Sequence, residues 1–191
     1  MLLRDPKVTY KYKIGFLSSA MFLRKRMNYA IGFDGIQLKT ESKLIEFFNT
    51  SEYGEILGDS SLLIYLHPKE KYHLAQAKAI YSELLNVQFE FADVSRPSRE
   101  LFDLCELTVS GFSSSQFERL YGGFKTVFAP MGEMNDHFID KSIDAISANS
   151  NLELEQLLEN NLGNSTNSFF THYKLNDYHW KSYRKISRET I

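Results

Sequence analysis

Residues Leu101 to Pro130 read LFDLCELTVSGFSSSQFERLYGGFKTVFAP, and this stretch decides the fold. A short apolar run, Leu107 to Val109, enters a polar turn carrying Ser113, Ser114 and Ser115. A helix follows to Tyr121. Gly122 and Gly123 close it, because glycine accepts the left-handed backbone that ends a helix. A second apolar run, Thr126 to Ala129, stops at Pro130. The same strand–turn–helix plan recurs in LLIYLHPKE, Leu62 to Glu70, with His67 and Pro68 in the turn. Pro68 fits the first helical position, where its missing N–H costs nothing. Two such turns in one domain bring hydroxyls, an imidazole and unpaired backbone N–H groups to where they can surround a phosphate.

Working outward, KIGFLS at Lys13 to Ser18 reads as the first strand, followed by the basic cluster Arg24, Lys25 and Arg26. A loop with Gly32, Asp34 and Gly35 leads to a helix over Ser42 to Asn49, whose apolar face is Leu44, Ile45, Phe47 and Phe48. Leu62 to Leu66 is apolar almost without a break, as in a strand covered on both faces. From Pro68 the spacing predicts one helix, with Leu74, Ala77, Ile80, Tyr81 and Leu84 recurring on one side. VQFEF at Val87 to Phe91 is the next strand. Ser95, Pro97 and Ser98 turn the chain, and LFDLC reads as a short helix. Strands alternate with helices throughout, which predicts an α/β domain with a Rossmann-like parallel sheet flanked by helices. Right-handed crossovers put His67 and Ser113 on the same sheet edge, where open parallel sheets bind ligands.

After Pro130 the character changes. Residues 1–148 are expected to form the α/β domain, and residues 149–191 a linker and C-terminal helical tail. Asn149 to Asn167 is rich in Asn and Ser around the helix LELEQLLE. From Ser168 the tail interleaves Lys174, Lys181, Arg184, Lys185 and Arg188 with Tyr173, Tyr178, Trp180 and Tyr183. Such a segment packs back on its domain as a helix, or touches a membrane surface or partner chain.

At 191 residues and 43% hydrophobic, the chain is long enough to bury a full α/β core. A net charge of −2 argues against a nucleic-acid partner, which calls for a basic excess. The single cysteine, Cys105, excludes an internal disulfide framework and suits a reducing compartment. No secretory signal and no apolar run near 20 residues is present. The expectation is a cytoplasmic protein, with the tail as a peripheral contact at the inner face of the membrane. Several sites are excluded or weak. No GxGxxG follows Gly15, and there is no P-loop and no nucleophile elbow. Asp136, His137 and Asp140 match no standard metal-ligand spacing, so no metal is expected.

Helix physics makes Ser113, Ser114 and Ser115 candidates for holding a phosphate, since the first turn of a helix carries unpaired N–H groups and partial positive charge. The alternative is that Ser113 or Ser114 simply caps the helix. His67 can donate to a phosphate oxygen, or be a plain turn histidine. Glu118 lies one turn beyond Ser114 on the same helix face, where it can accept from ribose hydroxyls or stand in solvent.

His67-Pro68 after an apolar strand, then SSSQFE after LTVSGF, resembles the donor-binding half of bacterial GT-B glycosyltransferases. The likeness extends to sialyltransferases with HP and SS motifs and to capsule and teichoic-acid polymerases related to CDP-glycerol glycerophosphotransferases. GFKTV at Gly123 to Val127 is similar to the loop and strand that come next there, and KIGFLSSAMFLRKR to the first strand and its basic turn. The resemblance covers Lys13 to Pro130. It implies a CMP-, CDP- or UDP-linked sugar donor in surface-polysaccharide synthesis, with no further cofactor. His67, Ser113 and Ser114 would hold the phosphates, with help from Arg24 or Arg26, and Glu118 the ribose. The catalytic base in that family comes from the other half-domain, and no Asp/Glu-Asp/Glu-Gly motif stands before the first strand. Transfer would therefore need a second domain or chain, or a homo-oligomer. Two alternatives remain: a non-catalytic assembly module with a degenerate nucleotide site, and a protein similar to sugar-nucleotide epimerases.

Overall fold

Five short apolar runs pair into one all-parallel sheet: β1 (Tyr12–Leu17), β2 (Leu62–Tyr65), β3 (Phe89–Phe91), β4 (Cys105–Ser110) and β5 (Lys125–Phe128), in the order β3-β2-β1-β4-β5. The computed structural model describes residues 9–29, 34–111, 113–133 and 141–175. Helices cover both faces, so the structure is the Rossmann-like α/β arrangement the alternation predicts. The helices are α1 (Met21–Arg26), α2 (Asp34–Phe48), α3 (Ser51–Leu57), α4 (Pro68–Lys71), α5 (Leu74–Leu84), α6 (Ser114–Tyr121), α7 (Asn151–Asn161) and α8 (Thr166–His172).

The alternation along β2 shows how one strand serves two cores. Leu62 and Ile64 join Phe16, Phe48, Tyr81 and Leu154 on one face. Leu63 and Tyr65 join Phe102, Cys105 and Phe124 on the other. Burial of this kind is worth about 1.5–3 kcal/mol per large apolar side chain. Gly15 in β1 is demanded by the second core, since a Cβ there would lie 2.7 Å from Cys105 Sγ and 2.8 Å from Tyr65 Cε2.

Several elements depart from the sequence reading. The helix expected from Pro68 to Leu84 is two helices, because His73 takes φ −124° and ψ 45° and breaks the ladder. LFDLC is not a helix. A 3-10 turn spans Ser98–Leu101, and Cys105 already begins β4. The buried Arg119 side chain explains this. It is 0% exposed and donates to the carbonyls of Phe102, Cys105 (2.9 Å) and Lys125 (3.3 Å). Those carbonyls are bound through tertiary structure, so local helix bonds are not needed. Asp34 and Gly35, read as loop, open α2, eight residues ahead of the Ser42 start. The Arg24–Arg26 cluster, read as a turn, is the end of α1. α3 has no counterpart in the reading.

Beyond residue 148 the chain stays packed. Leu154 and Leu158 of α7 lie in the first core, and Phe169 and Phe170 of α8 close over Phe128 and Leu120. Lys125 fastens this region. Its ammonium, 1% exposed, donates to Glu106 at 2.5 Å and to the carbonyls of Asn161 (2.6 Å) and Asn164 (2.7 Å). Tyr178, Trp180, Lys181, Tyr183, Arg184, Lys185 and Arg188 lie outside the described residues, as do Gly32, Asp136, His137 and Asp140. Among the described residues, no helix is long and apolar enough to cross a membrane.

Candidate functional site

The strand order reverses between β1 and β4, so the crevice of a parallel sheet falls above their C-terminal ends. β2 and β4 both neighbour β1, which sets the turns carrying His67 and the serines two strand spacings apart, about 10 Å. The β1–α1 turn, Ser18-Ser19-Ala20, stands between them.

His67 is the N-cap of α4. Its Nδ1 accepts the Lys69 N–H at 3.1 Å, and its own N–H donates to Glu70 Oε2 at 2.9 Å. This is a capping box with histidine in the serine position. The ring is half-buried. Burial first, then the charges of Arg24 and Lys69, hold it below the ordinary histidine range. A neutral imidazole whose Nδ1 accepts carries its proton on Nε2, which remains a donor. Pro68 occupies the first helical position as expected.

Ser113 is the N-cap of α6, yet its hydroxyl makes no capping bond. Its carbonyl accepts the Gln116 N–H at 3.0 Å. Ser114 is exposed and Ser115 half-buried in the first turn, and Glu118 is exposed one turn on. Gly122 and Gly123 act as a stop. Gly123 takes φ 79°, with Gly123 N–H bonded to Leu120 O (3.0 Å) and Phe124 N–H to Arg119 O (3.1 Å), the Schellman pattern.

The two basic candidates divide. Arg24 lies near enough to His67 to affect its charge. Arg26 is drawn to the surface instead, where it pairs with Glu83 of α5.

Sequence reasoning missed the best-built part of this edge. Glu41, 2% exposed on α2, accepts the N–H of Ser19 (2.5 Å) and of Met21 (3.1 Å). Its carboxyl therefore occupies the start of α1, where a ligand phosphate stands in many α/β folds. Between those two N–H groups Ala20 is held in the left-handed region at φ 63°. The neighbouring residue Thr40 packs on Gly111, just after β4. A Cβ at Gly111 would overlap Thr40 Cγ2. Consecutive residues of α2 thus bridge the ends of β1 and β4.

A second buried carboxyl lies alongside. Tyr81 donates to Glu70 Oε1 at 3.1 Å, and the Tyr81 and Ser18 hydroxyls lie 2.7 Å apart. Burial raises Glu70. Burial, and then the Glu70 charge, push Glu41 up to about 8. The signal for Glu70 was its place three residues after His67. Glu41 gave none, because the helix was started one residue too late to include it.

Among the described residues, no group of three or more His, Cys, Asp or Glu side chains is placed to hold a metal ion. No family model matches the chain, and no curated protein matches it in sequence.

Proposed function

We propose that the chain is a nucleotide-binding α/β domain. More finely, we read it as the donor half of a nucleotide-sugar-dependent glycosyltransferase of GT-B type, completed by a second domain or chain. The observation that carries this reading is positional. His67 and the first turn of α6 leave from the two strands that flank β1, at the reversal of strand order. A phosphate between them would meet the His67 Nε2–H on one side. On the other it would meet the Ser113 hydroxyl and the positive end of α6. Fixed donors of this kind stabilise a departing phosphate without a metal.

A second reading is favoured by Glu41. A carboxyl on the Ser19 and Met21 N–H groups takes two donors of the β1–α1 turn that a ligand anion would otherwise use. That suits a non-catalytic module whose nucleotide site has been filled from within.

Thermal melting with CMP, CDP, UMP, UDP and GDP separates the two. A ligand at 100-fold excess over Kd raises stability by about 2.7 kcal/mol. A rise with one nucleotide, lost in His67→Ala and Ser114→Ala, supports the donor domain. No rise with any of them overturns nucleotide binding by this chain and leaves the module.

A further inference from the structure

His67 is held at three points, and the deepest of them is a buried carboxyl. Pro68 confines the residue before it to extended backbone, and His67 stands there at φ −59° and ψ 149°. The Lys69 N–H fixes the ring through Nδ1 at 3.1 Å, and Glu70 Oε2 fixes the backbone N–H at 2.9 Å. Glu70 is itself held in place and is 1% exposed. The buried Tyr81 donates to its Oε1 at 3.1 Å, and the Tyr81 hydroxyl lies 2.7 Å from that of Ser18. Ser18 Oγ accepts the Ala20 N–H at 2.9 Å. A continuous chain of hydrogen bonds thus runs from the β1–α1 turn, through a side chain of α5, to the backbone of His67.

Capping alone does not account for this burial. α4 is four residues long, so the cap has little helix to support. An acid at the third helical position can close a capping box from the solvent side. Withdrawing that acid from water costs more than a capping bond returns. Burial pushes Glu70 up, and bonds from the Ser18 hydroxyl, the His67 N–H and the Tyr81 hydroxyl pull it back. The cost is explained if His67 must present one geometry and one tautomer, with its proton on Nε2. A donor fixed before the ligand arrives loses no side-chain freedom on binding.

We propose that Glu70, backed by Tyr81 and Ser18, is a positioning residue that holds the His67 imidazole with its Nε2–H ready for a phosphate oxygen of the ligand. The proposal rests on the nucleotide reading above and deepens it. It makes the contact at this turn a neutral, preset hydrogen bond rather than an ion pair. It also gives the buried hydroxyls of Tyr81 and Ser18 a part in binding although neither touches the ligand.

The test uses the full chain and two readouts. One is the pair of ring-nitrogen resonances of His67, recorded at a pH above the histidine range. The other is calorimetric binding of CDP and UDP. In the parent chain the resonances should report a single tautomer, protonated on Nε2. Glu70→Ala should bring in the other tautomer and weaken binding about tenfold. Glu70→Gln keeps an acceptor for the His67 N–H and a partner for Tyr81, and should recover most of the loss. Ser150→Ala, which loses the cap of α7, is the control for stability alone and should move neither readout. Where Glu70→Ala does not fold, Tyr81→Phe takes its place, because the ring keeps its packing on Phe16 and Phe91. It should move the resonances the same way and weaken binding about fivefold. Unchanged resonances in these variants would overturn the proposal and leave the nucleotide reading standing. So would altered resonances with unaltered binding, or equal effects in Ser150→Ala. If neither nucleotide binds the parent chain, the nucleotide reading fails, and the proposal with it.

Discussion

Replacing Glu41 by glutamine tests the buried carboxyl at the β1–α1 turn directly. In the folded chain burial and Glu70 raise this group from about 4.5 to about 8. In the unfolded chain it returns to the ordinary value. Between these two pH values the folded state holds a proton that the unfolded state has released. Stability contributed by Glu41 is therefore greatest below pH 4.5, falls as pH rises, and stops falling above pH 8. The slope is at most about 1.4 kcal/mol per pH unit, and the whole window is worth roughly 5 kcal/mol as a ceiling. Glutamine does not titrate. It keeps an oxygen for the Ser19 N–H but sets its amide group against the Met21 N–H. Glu41→Gln should thus cost most near pH 5 and least near pH 8, with a change of about 2–5 kcal/mol in that cost. His67, lowered by burial, keeps its slope in the variant and cancels in the difference, whereas Glu70 is coupled to Glu41 and its altered titration is part of the change measured. The assay is urea unfolding followed by far-ultraviolet circular dichroism at unit steps from pH 5 to 9. Parallel curves for the two proteins would refute the reasoning.

Other expectations follow from single contacts. Ser113→Ala should change stability by less than about 0.5 kcal/mol because its hydroxyl caps nothing, whereas Ser150→Ala, which loses the bond from the Glu153 N–H at 3.2 Å, should cost about 0.5–2 kcal/mol in the same urea assay. Arg119→Ala strands three buried carbonyls and should cost at least about 3 kcal/mol, read as a fall in melting temperature of roughly 6–12 °C. Gly111→Ala should cost about 1–3 kcal/mol by pushing on Thr40, and adding Thr40→Ala should recover much of it; a loss unchanged in the double variant would place the clash elsewhere.

The parallel sheet was legible because its signals are local. Leu62 to Leu66 is apolar without alternation, Leu107-Thr108-Val109 is a short run of strand-favouring residues, and each is followed by helix-start chemistry at Pro68 and Ser114. The Gly122-Gly123 stop was equally plain. LFDLC was misread because the partner for its carbonyls, Arg119, lies fourteen residues beyond Cys105 and on another element. The break at His73 leaves no mark in the apolar spacing, since Leu74, Ala77 and Tyr81 keep the rhythm of a single helix.

For the site, the sequence alone determined that the turns carrying His67 and the α6 serines share the C-terminal edge, because strand–helix alternation and crossover handedness are written in short-range patterns. That the two turns flank β1 came from the strand order of the folded sheet. What fills the space between them was decided only by tertiary structure. Glu41 reaches the β1–α1 turn because α2 is laid across the ends of β1 and β4, with Thr40 seated on Gly111. A carboxylate in ESKLIEFF looks like any solvated helix residue until packing removes its water and gives it two backbone N–H groups in exchange.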